Sequence, residues 1–149
     1  MLKVKIMSLL ARISVVEVLA AADNVWFDKS IADTIASATV QTINQTYVRN
    51  FMFFSGKSSK YLIGGLFYLL GYRYGVIKNQ NEIADRLGTT DVTIRISYRK
   101  WLETFPDMFL DVIGKFADNS SLRSFVLLDL KRSWLQSENK RVRCLPSAI

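Results

Sequence analysis

The chain has 149 residues, half of them hydrophobic, with only 7 Gly and 2 Pro, which suits one domain with a sizeable core and leaves too little turn chemistry for an all-β fold. Twenty Lys and Arg against 13 Asp and Glu give a net charge of +7 and favour an anionic partner. With no His and a single Cys, Cys144, an intrachain disulfide and a structural zinc site of the usual kind are excluded, and so is the commonest general base; the expectation is a non-enzyme without metal or cofactor.

The first 22 residues place two lysines ahead of an apolar run, as a signal peptide does. Arg12 and Glu17 interrupt that run, and the apolar block Ile6 to Ala11 is too short for a signal core. Leu9, Leu10, Ile13, Val16 and Leu19 instead suit one face of an amphipathic first helix. A membrane-surface helix is the alternative, and the modest charge of the polar face disfavours it.

Asp23 to Lys29 reads as a connection that tucks Trp26 and Phe27 under the bundle. Ser30 is expected to cap a second helix that turns Ile31, Ile35, Ala38, Thr39, Thr42 and Ile43 inward. That helix is rich in threonine, so its helicity must come from packing more than from propensity. Phe51-Met52-Phe53-Phe54 follows as an apolar stop that caps the core.

Ser58 or Ser59 should cap a third helix, KYLIGGLFYLLGYRY, the most apolar in the chain and therefore the central one. It contains Arg73 and three glycines and falls short of the roughly 20 apolar residues that span a bilayer. Gly64 and Gly65 permit a close helix crossing there.

The stretch Lys78 to Phe105 reads as two helices joined by a tight turn. Asn79 caps the first, with Glu82 three residues on to complete a capping box, and Gly88 supplies the left-handed stop. Thr90 caps the second, Asp91 sits at the positive end of its dipole, and Pro106 ends it. Ile94, Tyr98, Trp101, Leu102 and Phe105 form its buried stripe, while Val92, Arg95 and Arg99 share another face. An arginine there can hold guanine O6 and N7 with two hydrogen bonds, and a valine can pack on a thymine methyl. A solvated charged face is the plainer reading of the same arginines. Between residues 57 and 104 eight basic side chains stand against four acidic ones.

Beyond Pro106, Asp107 to Ala117 and Leu122 to Leu135 read as further helices, with Lys131 and Arg132 near the end of the second. The tail carries Lys140, Arg141 and Arg143 and reads as a solvated, basic end.

The run Asp91-Val92-Thr93-Ile94-Arg95 with Ser97-Tyr98-Arg99 closely resembles the end of the second cyclin repeat of the general transcription factor IIB family. Pro106-Asp107-Met108-Phe109 resembles the segment that follows it in eukaryotic members. Gly56-Lys57-Ser58 is similar to the family's opening of the third helix, and Gln80-Asn81-Glu82-Ile83 to its start of the fourth. The resemblance covers residues 56 to 109, about a third of the chain.

It implies an all-α, cyclin-like bundle of five helices over residues 1 to 109, with a helix-turn-helix at 78 to 105 and a helical extension at 110 to 149. It further implies a promoter-binding transcription initiation factor that reads double-stranded DNA beside the TATA element. Val92 and Arg95 would contact bases, and Lys57, Lys78, Asn79, Gln80, Thr90, Thr93 and Arg99 would contact phosphates. TATA-binding protein and the RNA polymerase machinery are the implied partners, and the nucleus the implied location, with an archaeal cytoplasm as the alternative. The chain departs from the family in having one repeat and no zinc ribbon, in Gly64 and Gly65 where alanines are usual, in Ile96 beside the reading arginine and in Ser59 at a proline position. A cyclin-like protein-interaction module, or a regulator that does not read DNA, is the competing expectation.

Overall fold

The computed structural model describes residues 13–116, and among them all regular structure is helical. The six α-helices are α1 (Val15–Val25), α2 (Lys29–Arg49), α3 (Ser59–Arg73), α4 (Gln80–Leu87), α5 (Asp91–Thr104) and α6 (Leu110–Phe116). Single 3-10 turns at Phe51–Phe54 and Pro106–Phe109 join α2 to α3 and α5 to α6. Leu9, Leu10, the helix expected at Leu122 to Leu135 and the basic tail lie outside the described residues. Among those described, no helix is long and apolar enough to cross a membrane.

The helix that opens after Ser14 turns a different face inward than the sequence pattern predicts. Ser14 caps it by accepting from the Val16 N–H at 3.2 Å, so Ile13 lies before the helix and Val15, Val18, Ala22 and Val25 set the buried face. Val16, expected inside, is therefore exposed. The second helix is capped by Asp28 rather than Ser30: its carboxylate accepts from the N–H groups of Ser30 and Ile31 at 2.9 and 3.3 Å, a charged acceptor at the positive end of the dipole. The connection between these helices splits its two aromatics. Trp26 is buried against Phe67, with its indole N–H donating to the Val76 carbonyl at 3.0 Å, whereas Phe27 faces out beneath the Arg86 guanidinium.

Along α2 the buried Thr39, Thr42 and Thr46 donate their hydroxyls to carbonyls one turn back, at 2.7 to 2.8 Å, and the Asn44 amide nitrogen donates to the Val40 carbonyl at 2.9 Å, which leaves Asn44 Oδ1 as the buried polar atom without a partner among the described residues. At its end the four-residue apolar stop divides. Phe53 and Phe54 enter the core against Trp101, and Phe51 and Met52 point outward.

Helix α3 is buried on every side from Leu62 to Tyr72, which marks it as the axis of the bundle. Helix α5 crosses it at the glycine pair. A Cβ on Gly64 would lie 2.4 Å from Ile94 Cδ1, and one on Gly65 would lie 2.1 Å from Ser97 Oγ and 2.8 Å from the Tyr98 nitrogen. Two hydrogen bonds fasten the crossing: Ser97 donates to the Tyr61 carbonyl, and the Trp101 indole to the Leu62 carbonyl at 3.2 Å.

Residues 110 to 116, the start of the expected helical extension, pack on this same core. Phe109 and Val112 are both fully buried. Arg73, near the end of α3, pairs with Asp111 at 2.8 Å and donates to the Met108 carbonyl, and the Lys115 ammonium donates to the carbonyls of Tyr72 and Arg73 at 3.1 and 2.6 Å. Helix α6 thus closes the carbonyl end of α3 with a cation, where the dipole favours one.

Two measurements check this packing. Gly65→Ala is expected to destabilise the chain by about 1 to 3 kcal/mol through overpacking against backbone, while Gly114→Ala, whose Cβ would meet nothing within 4 Å, should be neutral or gain up to about 1 kcal/mol of helix propensity; equal effects in thermal unfolding would contradict the crossing. Burial alone would raise the pKa of Asp111, but the hydrogen bond and charge of Arg73, aided by backbone N–H groups, hold it below the ordinary 3.8. Its contribution is therefore present above that value and lost as pH falls through the lowered one, and Asp111→Asn should flatten the acid side of the stability curve.

Candidate nucleic-acid interface

Local chemistry builds the α4–α5 corner almost unaided. Asn79 accepts from the Glu82 N–H at 2.7 Å and opens α4. The Glu82 carboxylate lies 3.4 Å from the Lys78 ammonium, so the acid expected to close a capping box forms an ion pair one turn back. Gly88 takes φ 73° and ψ 39°, and the Thr89 N–H then reaches the Ala84 carbonyl at 2.9 Å, the wrap-around bond that ends a helix on a left-handed residue. Thr90 opens α5 by accepting from the Thr93 N–H at 3.2 Å, and its hydroxyl also meets the Thr93 hydroxyl at 2.9 Å.

Helix α5 has two sharply different faces. Ile94, Ser97, Tyr98, Trp101 and Leu102 are buried, with Ile94 and Leu87 of α4 both over Gly64. The opposite face presents Val92, Arg95 and Ile96, with the half-buried Arg99 beside them. Arg95 is exposed, and among the described residues it makes no ion pair. Burial raises the pKa of the Tyr98 hydroxyl, and the nearby charges of Arg99 and Arg95 oppose that shift, which places both arginines close to the rim of the core.

The other residues assigned to this surface do not all stand ready for a phosphate. The Lys57 ammonium folds back to donate to the Phe53 carbonyl and lies 4.5 Å from the centre of the Phe53 ring. Its pKa is lowered by burial and by the charge of Lys100, which places it toward the C-terminal half of α5. Lys78 is committed to Glu82. Gln80 faces the hydroxyls of Tyr68 and Tyr98, whose pKa values it lowers against the stronger effect of burial, and whose rings stack 4.5 Å apart. Thr90 and Thr93 are joined to each other at the start of α5, and Asn79 holds its own helix.

Two residues outside the expected set belong to the surface. Lys60, in the first turn of α3, brings its ammonium to the α4–α5 corner, 3.4 Å from where a Cβ on Gly88 would stand. Ile96 is exposed one turn beyond Val92 on α5. Spacing three residues on from Lys57 was the signal for the first; for the second it was an apolar residue four positions from another on a face otherwise charged. The surface is not uniformly basic: Asp85 is exposed on α4, and Asp91 and Glu103 flank the two ends of α5, the latter 3.6 Å from Lys100.

A comparison of the chain with models of protein families, with curated proteins and with solved structures returns no match.

The geometry separates structural from binding positions. Thr90→Ala should cost about 1 kcal/mol of stability through the lost cap, whereas Arg95→Ala should stay within about 0.5 kcal/mol of the wild type. Thermal or denaturant unfolding of the two variants checks this, and a large loss at Arg95 would show that its side chain is part of the fold.

Proposed function

We propose that this chain is a DNA-binding module of transcription initiation, in which α4 and α5 form the helix-turn-helix of a cyclin-like domain similar to the second repeat of the general transcription factor IIB family. The observation that carries the reading is the outer face of α5. Its inner face is fixed over two glycines, so Val92, Arg95 and Arg99 are held side by side on a rigid support, with Val92 and Arg95 in the N-terminal half of the helix, the part that meets base edges when such a helix enters the major groove. In this reading Arg95 takes a guanine edge and Val92 a thymine methyl. Arg99 and Lys60 hold phosphates, which position the module without specifying sequence. The partners are promoter DNA beside a TATA element and TATA-binding protein, the setting is the nucleus, and the protein is not an enzyme.

A protein-interaction module is the second reading, favoured by a separate surface. Val48, Phe51 and Met52, at the end of α2 and in the turn after it, all expose apolar side chains within five residues of chain.

The test is titration of the full chain against a TATA-containing promoter duplex, with and without TATA-binding protein, over a salt series. Binding should weaken with a log–log slope of about 0.9 per phosphate neutralised. Arg95→Ala should relax base preference by about 1 to 3 kcal/mol at its position, and Arg99→Ala should weaken all sequences alike. An Arg95→Ala chain that loses affinity with its preference unchanged would overturn the base-reading role, and absence of binding in every combination would favour the second reading.

A further inference from the structure

The exposed face of α5 holds a feature that phosphate binding and a single arginine do not use. Val92 and Ile96 stand four residues apart, 43% and 48% exposed, while Ile94 between them is completely buried. They are not strays from the core stripe, because the residues that pack α5 on α3 lie on the opposite side of the helix. Residues four apart on a helix are neighbours on its surface, separated by about 6 Å of axial rise. Base pairs in a duplex repeat every ~3.4 Å, so this rise corresponds to about two base-pair steps. The flanking charge is cationic at Arg95, Arg99 and Lys100, with Asp91 and Glu103 at the two ends of the helix. An apolar pair bordered by arginines matches the major groove of a duplex, where thymine is the one base that offers a methyl group.

We infer that Ile96 is a second specificity-determining residue, and that α5 reads two thymine methyls about two base-pair steps apart, one under Val92 and one under Ile96, on either side of the base pair that Arg95 addresses. The inference rests on the proposed DNA reading. Ile96 is also the place where the chain carries a branched apolar side chain next to the arginine, so the two together define a short motif of methyl, hydrogen-bond edge and methyl. A methyl in contact with Ile96 leaves water when the complex forms, and its removal should weaken binding about fourfold.

Duplexes are first selected with the full chain from a pool of random-centred sequences, and each thymine of the selected site is then replaced by 2′-deoxyuridine, which keeps every hydrogen bond and deletes only the methyl. Two positions about two steps apart should each lose about fourfold with the wild type. With Ile96→Ala one of the two should become indifferent to the methyl, and Ile96→Val should restore part of the discrimination. Because Ile96 is half exposed, these variants are expected to unfold at the wild-type temperature, and a melting curve for each verifies it. Salt-sensitive binding that ignores every thymine methyl, or an Ile96→Ala chain with the same methyl profile as the wild type, overturns this inference and leaves the DNA reading standing. No selection of any duplex above background overturns both.

Discussion

Gly64 and Gly65 let α3 and α5 approach until backbone meets side chain, and most of the molecule takes its arrangement from that approach. Each glycine costs about 1 kcal/mol of helix propensity relative to alanine in a helix interior. The return is contact: Ile94 and Leu87 settle over Gly64, Ser97 fills the space over Gly65, and two side-chain hydrogen bonds reach backbone carbonyls of α3 that face the crossing. With α5 seated, Trp101 meets Phe53, Phe54, Phe105 and Phe109, so one indole joins the turn after α2, the end of α5 and the turn before α6. The position of α4 then follows, because only Gly88, Thr89 and Thr90 separate it from α5.

What could be read from the sequence was what short-range chemistry determines. Asn79, Gly88 and Thr90 act where their caps and turn predict, since each needs only its own neighbours within three or four residues. The stripe from Ile94 to Phe105 is buried as its period requires, and the uniformly apolar α3 lies at the centre. The glycine pair in α3 was legible as a close crossing, though not which helix would come close. Failures concern choices that a distant partner makes. Nothing local distinguishes Trp26 from Phe27; the carbonyl of Val76, fifty residues away, selects the indole. Val16 fits the spacing of an inward stripe, but in the helix that Ser14 caps the buried face runs through Val15, Val18, Ala22 and Val25, and of the stripe's helical residues only Leu19 packs against the core. The resemblance ends its bundle at Phe109 and gives no sign of how the extension attaches; Arg73 and Lys115 bind the next helix to α3 across some forty residues of chain.

The candidate site was legible in its charges and not in their commitments. Lys57, Lys78 and Gln80 were assigned to phosphates from their places at helix starts, but a flexible side chain goes to the nearest unsatisfied group. A carbonyl, a carboxylate and two tyrosine hydroxyls respectively lie closer than any ligand need be. Arg95, by contrast, makes no ion pair among the described residues and is exposed. The surface that results is narrow, a single helix face with a lysine at its corner, and its chemistry is that of edges and methyls more than of bulk charge.

The indole of Trp26 has a consequence for where the domain can be divided. Its N–H occupies the Val76 carbonyl in the connection that leads into α4, and its ring covers Phe67 at the middle of α3. An excised corner that began at Lys78 would therefore lose more than neighbours: α5 would expose the whole stripe that α3 covers, and the segment entering α4 would lose its tether. The smallest autonomous unit must reach back through α1. The orientation of α5 is thus a property of the entire bundle, and transplanting its outward positions onto another scaffold would carry the side chains without the angle at which they are held.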